Sequence, residues 1–206
     1  VANNGSSVLH LDWETRSSVD LPARGLHTYA RHADTDIWCG CYAFGDEPVE
    51  TWLPGQPCPA RVFNHIDGGG LVVAHNAPFE IQICNEIAAL RYGWPRLQPD
   101  QMFCTQAAAH AMGLPGSLDK AAPAAGIEFR KDSAGHRLML QMCRPRSIAP
   151  DGSIEWWNAP DKVARLMEYC EQDVVVERAL YKRLVPLSPA EREVWLLDYK
   201  INQRGV

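Results

Sequence analysis

The chain has 206 residues, 46% hydrophobic and 22% charged, which suits one domain with a continuous apolar core. Fifteen glycines and fifteen prolines exclude a collagen-like or low-complexity chain. Twenty basic against 25 acidic residues, a net charge of −5, argue against coating nucleic acid by bulk charge but leave room for gripping a few phosphates. Residues 8–14, with β-capable side chains alternating after a polar leader, predict a strand. Residues 37–44 predict a second, and residues 49–52 a third after the turn-forming Gly45-Asp46-Glu47-Pro48. Residues 60–67 read as a short helix closed by Gly68-Gly69-Gly70, and residues 71–74 as an apolar strand of the kind buried on both faces. A helix over 78–91 follows, with Phe79, Ile83, Ile87 and Leu90 at helical spacing.

Past Met102-Phe103-Cys104 the pattern gives helical pieces broken at residues 113–116 and near Pro123. Residues 138–142 suggest a helix and Asp151-Gly152 a tight turn. Residues 161–184 predict a long helix with Val163, Met167, Cys170, Val174 and Tyr181 along one stripe. Ser188-Pro189-Ala190-Glu191 is a capping box opening one more helix. That helix carries Val194, Leu197 and Ile201 as an apolar stripe with little chain left to cover it. The expectation is a domain over 1–187, with 188–206 leading into a further part of a longer protein.

Three acidic motifs stand out. Asp12 and Glu14, two apart on a strand, project from the same face, beside His10 and Val8 and opposite Leu9, Leu11 and Trp13. Two such carboxylates repel unless a cation lies between them; alone, the pair also suits a solvated strand end. Glu80, in His75-Asn76-Ala77-Pro78-Phe79-Glu80, falls in the first turn of the helix that follows the buried strand. A carboxylate there can also simply cap free N–H groups. Tyr169 and Asp173, four apart, share the shoulder of the long helix where it meets the sheet. An ordinary tyrosine–acid hydrogen bond would explain that pair equally well.

Taken in order, Asp-x-Glu, Asn-x-x-x-acid and Tyr-x-x-x-Asp resemble the three motifs of the DEDD exonuclease superfamily in its tyrosine-bearing branch, an α/β, RNase H-like fold. Leu11-Asp-Trp-Glu-Thr-Arg-Ser17, Ala74-His-Asn-Ala-Pro-Phe-Glu80, Gly113-Leu-Pro-Gly-Ser-Leu118 and Tyr169-Cys-Glu-Gln-Asp-Val174 are similar to the exonuclease domain of bacteriophage-type family A DNA polymerases. The tail from Glu193 to Val206 is similar to the segment leading into the polymerase part of those proteins. The superfamily usually has Asp where Glu80 stands, so the extra methylene leaves direct metal contact by Glu80 less secure than by Asp12 or Asp173.

The resemblance implies a mixed sheet of about five strands flanked by helices. It also implies 3′→5′ exonuclease activity on single-stranded or frayed DNA 3′ ends, releasing nucleoside 5′-monophosphates. Asp12, Glu14, Glu80 and Asp173 would hold two divalent cations, Mg²⁺ or Mn²⁺, because a cluster of carboxylates needs hard counterions. Asp12 would bridge the two ions, and Tyr169 would orient the attacking water, since a phenol of pKa near 10 is a poor base at neutral pH. Thr15, Asn76 and His75 would meet substrate or support the site. The implied partners are a DNA 3′ end and a polymerase domain of the same polypeptide, with the chain otherwise a monomer in a bacterial or phage-infected cytoplasm.

Other features are less specific. Arg130, Lys131, Arg137, Arg144 and Arg146 face a single acid, Asp132, in residues 130–146, a stretch that could track phosphates or form a solvated loop. Trp156 and Trp157 suit either base stacking or the packing of a hairpin. Cys39-x-Cys41 lacks the spacing of a zinc site and reads as strand cysteines packed as small hydrophobes. No apolar run nears the roughly 18 residues of a membrane helix, the first seven residues lack a signal-peptide pattern, and seven cysteines without paired spacing suit reduced thiols in a cytosol. Two other readings stay open: an exonuclease-like scaffold that binds 3′ ends without cutting them, and an RNA-trimming exonuclease.

Overall fold

The computed structural model describes residues 8–128 and 132–204. Its centre is β1 (Leu9–Arg16), antiparallel to β2 (Asp36–Phe44). The strand β3 (Glu50–Trp52) extends β2 at one edge. On the other side of β1 lie β4 (Val72–Ala74) and β5 (Met102–Cys104), both parallel to it. The order β3-β2-β1-β4-β5 is that of the RNase H-like fold. Helix α1 (Leu21–Arg31) follows β1, and α2 (Ala60–Asp67) precedes β4. After β4 comes α3 (Ala77–Ile83), which runs through a π-helical stretch, Cys84–Ala88, into α4 (Ala89–Tyr92). Beyond β5 lie α5 (Thr105–Ala111), α6 (Leu118–Ala124) and α7 (Ser133–Met142). A small hairpin of β6 (Ser147–Ile148) and β7 (Ile154–Glu155) leads to α8 (Pro160–Tyr181) and finally α9 (Pro189–Arg204).

Strand alternation divides β1 between two layers. Leu9, Leu11 and Trp13 enter the main core with Ile81, Ile83 and Ile87 of the α3 layer. His10, Asp12 and Glu14 face α8, whose Cys170 and Val174 pack on Cys39, Cys41 and Ala43 of β2. The core is tight where Trp13, Trp52 and Trp94 meet edge to face, with ring centroids 4.7–5.7 Å apart. Gly40 makes room for this: a Cβ there would lie 2.2 Å from the Trp13 ring.

Four elements escape the sequence pattern: α1, β5 and the two-residue strands β6 and β7. Helix α1 contains Gly25 at φ 76°, which breaks its regularity, and it starts from an Asp20 side chain accepting the Ala23 N–H. Strand β5 has only three residues, too short for alternation to register. The expected helical break near Pro123 falls just after it, Pro123 sitting in the last turn of α6. Trp156 joins the Trp38, Met142 and Leu166 cluster, with Arg16 over both Trp38 and Trp156, so this pair packs the hairpin onto α8. All seven cysteines are free, Cys39 and Cys41 fully buried among apolar neighbours.

Helix α9 packs back through Trp195 and Tyr199 onto the main core. Its Arg192 guanidinium donates to the carbonyls of Pro99, Asp100 and Met102. The expected stripe of Val194, Leu197 and Ile201 lies on the other side and is exposed. Among the described residues, no helix is long and apolar enough to cross a membrane.

Candidate active site

Parallel pairing of β1 with β4 covers only Leu9 and His10, so Asp12 and Glu14 project beyond the end of β4, where α/β sheets commonly present functional groups. Helix α8 crosses this face. Its residues Tyr169, Asp173 and Glu177, four apart, stand in one row along it. Carboxylate oxygens of Asp12, Glu14 and Asp173 come within 4.8 Å of one another, although 161 positions separate the first from the last. Glu80 is not part of that set; it lines the same cleft from the first turn of α3, where Asn76 in a left-handed conformation (φ 64°) turns the chain out of β4. The helix begins at Ala77, one residue before the expected Pro78. Glu80 makes no cap on its own helix; its carboxyl lies near the Trp13 backbone N–H of β1, which opposes the rise in its pKa.

Burial and mutual repulsion act together here. Asp12 is held well above the usual carboxylate range, first by burial and then by Asp173. Glu14 is raised by burial, then by Asp12 and Asp173. Glu80 is raised by burial, then by Asp12 and Glu14. Asp173 is pushed up to about 7, mainly by burial, while the Tyr169 hydroxyl beside it opposes the shift. The same surroundings raise the Tyr169 phenol further above its ordinary value, which makes it a hydrogen-bond donor and no base. Among the described residues, none of these four acids has a salt-bridge partner.

The donor set is all carboxylate oxygen, which suits a hard divalent cation. One further observation fits cations: Glu80 is 2% exposed and its Oε2 has no hydrogen-bond partner. A buried unpaired oxygen is costly, and an ion or its bound water would satisfy it.

Asp12, Glu14, Thr15, His75, Asn76, Glu80, Tyr169 and Asp173 all line one cleft of about 390 Å³. Thr15 is buried, its hydroxyl 2.8 Å from the Tyr29 hydroxyl. His75 is a strut: Nε2 donates to the Gly116 carbonyl at 2.8 Å and Nδ1 lies 3.0 Å from the Thr105 hydroxyl. Burial lowers its pKa, keeping the ring neutral and engaged at both nitrogens. Arg137 is exposed on α7 and does not line this cleft. Arg130 and Lys131 lie outside the described residues. Arg144 of the same basic stretch does reach the cleft, 3.5 Å from Asp20.

Sequence patterns missed the apolar wall and one polar contact. Leu21, Phe79, Met139 and Leu140 supply flat hydrophobic surface beside the acids, suited to a base or sugar. Cys170 places its sulfur 3.2 Å from Asp12 Oδ2 and 3.6 Å from the Asp12 carbonyl oxygen. The only sequence signal for Cys170 was its place on the apolar stripe.

No family model matches the chain. Over 207 aligned residues it is 34% identical to the DNA polymerase of Bacillus phage SP02. The chain is homologous to part of a phage DNA polymerase. That match covers 96% of this chain and 31% of the relative, so it lends no support of its own to the expected polymerase domain in the same polypeptide. Among solved structures, the family B DNA polymerase of the archaeon Pyrobaculum calidifontis superposes with a TM-score of 0.55 at 18% identity, over 98% of this chain and 30% of that one. At that identity the shared property is the fold. A structure described as the apo form of the nuclease gives a TM-score of 0.49 at 18% identity, over 96% of this chain and 82% of that one, too remote to carry an argument.

Proposed function

We propose that this chain is a metal-dependent 3′→5′ exonuclease, the proofreading part of a phage-type DNA polymerase, working on single-stranded or frayed DNA 3′ ends. The observation that carries the reading is the convergence of Asp12, Glu14 and Asp173 within 4.8 Å, none of them ion-paired among the described residues. The phage polymerase relative supports the DNA substrate and a setting in the cytoplasm of an infected bacterium. The domain is residues 1–187, α9 is its outgoing helix, and the working unit is a monomer.

Bound there, two Mg²⁺ or Mn²⁺ ions would supply an activated water and charge stabilisation for the departing 3′ oxygen. Asp12, Glu14 and Asp173 would hold the ions, with Glu80 completing the set through water. Tyr169 would donate to the attacking water from its place beside Asp173, fixing its line of approach. Leu21, Phe79, Met139 and Leu140 would press on the terminal nucleotide, and Thr15 and Asn76 would fix its sugar and phosphate. The product would be a nucleoside 5′-monophosphate.

The test is hydrolysis of 5′-labelled single-stranded DNA in Mg²⁺. Expected is a ladder shortening from the 3′ end that disappears in Asp12→Ala. A ladder that survives the substitution overturns the assignment. Matched RNA oligonucleotides read the sugar preference in the same gel.

A further inference from the structure

The cleft holding the acids does not end at the acids. Its wall residue Asn76 also lines a second, larger depression of about 760 Å³ between α1 and α9. Asn76 therefore stands at a junction, and a chain lying across the acids has a continuous way onward past it.

The composition of that second cleft differs from the first. Arg24 and His27 of α1, His110 of α5 and Arg204 of α9 line it. The one acid there, Asp198, is engaged by the Asn202 side-chain amide at 3.1 Å. Among the described residues, the side chains of Arg24 and Arg204 make no hydrogen bond or salt bridge. The arginines nearer the acids are committed elsewhere: Arg144 to Asp20, Arg146 to Glu155 and Arg165 to Asp132. Arg24 and Arg204 thus bring uncommitted positive charge to the α1–α9 cleft, whereas Arg137, the unpaired arginine of the described part of the basic stretch at 130–146, is exposed on α7 and lines neither cleft. Trp195 and Tyr199, one helical turn apart, bring half-buried rings to the same cleft, 26° from parallel with centroids 6.3 Å apart.

Free guanidinium groups for phosphates, beside aromatic rings for bases, are the two components of a sequence-tolerant site for single-stranded nucleic acid. We propose that the cleft between α1 and α9 binds the part of the strand lying 5′ of the terminal nucleotides, with Arg24 and Arg204 on its phosphates and Trp195 and Tyr199 against its bases. This rests on the reading of the acids as a 3′-exonuclease centre, which fixes the direction in which the strand leaves. Asn76 then divides the nucleotide being removed from those that hold the strand.

The experiment compares the full chain with an Arg24→Glu/Arg204→Glu variant, both changes on exposed side chains that the fold does not need. KM and kcat are measured in Mg²⁺ on single-stranded DNA from dinucleotide to octanucleotide. Binding of a fluorescein-labelled octanucleotide is followed by anisotropy in EDTA at several salt concentrations. The expected penalty lies in KM, grows with length, and reaches about tenfold on the octanucleotide. The slope of log affinity against log salt falls by about 1.4, two single-strand phosphate contacts. A penalty independent of length, or an unchanged salt slope, overturns the proposal. A parent chain inactive on every length instead removes the exonuclease reading, and anisotropy in EDTA still decides the cleft.

Discussion

Two buried acidic sites lie along one face of β1, and the protein treats them in opposite ways. At the N-terminal end, Glu177 of α8 is 4% exposed, and its carboxylate meets the buried His10 ring at 2.7 Å. Burial raises the Glu177 pKa, and its hydrogen bond to His10 opposes the rise. Two residues along the strand, Asp12 and Glu14 meet Asp173 with no such partner. The two sites share a strand, a helix and a spacing, so the missing histidine is not a matter of available geometry. A fold that gives one buried acid an internal partner leaves the other three without one among the described residues, and that contrast supports the proposed reading of the second site.

The largest effect should follow from Asp173→Asn. The change keeps the shape of the side chain beside Tyr169 but removes one charge of the cluster. Exonuclease turnover should fall on the order of 10³-fold or more, while the metal-free protein becomes more stable, because repulsion is relieved. Turnover assays beside thermal melts in EDTA check both signs. A variant that loses activity and stability together would make Asp173 a structural acid like Glu177.

His10→Ala should do the reverse. Glu177 would be left buried without its partner, costing about 2–4 kcal/mol, which lowers Tm on the order of 10 °C in a chain of this size. Turnover below the melting range should stay within a fewfold of the parent. Replacing both residues, His10→Leu with Glu177→Leu, should recover most of the loss, since an apolar pair fills the same space. Failure of that rescue would mean the pair serves more than packing.

Acidity separates the sites next. Asp173 has a folded pKa of about 7 against an ordinary 3.8, and Asp12, Glu14 and Glu80 are shifted the same way. Between those values the folded protein holds protons that the unfolded chain has released. Stability without metal must therefore fall as pH rises through that window. Saturating Mg²⁺ should cancel the trend, because the ions bind the ionised acids of the folded form alone. We expect Tm in EDTA to drop by roughly 5–10 °C from about pH 5 to pH 8, and the Mg²⁺ curve to stay level or rise. Parallel curves would mean the acids do not hold the ions.

Much of this was legible in the sequence because it depends on period and order. Two-residue alternation put Asp12 and Glu14 on one strand face and Leu9, Leu11 and Trp13 on the other. Four-residue spacing aligned Tyr169 with Asp173, and a buried strand ahead of Glu80 placed it at a strand end. The α1–α9 cleft has no such signature, since Arg24, Asn76 and Trp195 are brought together by packing alone. Helix α1 was hidden by Gly25, and β5 by its length. Partnerships across the fold, such as His10 with Glu177, leave no local trace, because neither residue's neighbours in the chain announce the other.

The smallest expected effect concerns Cys170, whose sulfur lies 3.2 Å from Asp12 Oδ2. The thiol is a weak donor, yet it touches a carboxylate that would hold the ions, from a fully buried position between Cys39 and Val174. Cys170→Ala removes the donor and leaves a small void; Cys170→Ser keeps a donor in nearly the same volume. Both changes should cost some stability, so melting alone cannot distinguish orientation from packing. Mn²⁺ affinity can: the alanine variant should bind a fewfold more weakly, by less than about 1 kcal/mol, and the serine variant should match the parent. Equal weakening in both would assign the effect to packing, and the contrast along β1 would then rest on the carboxylates and His10 alone.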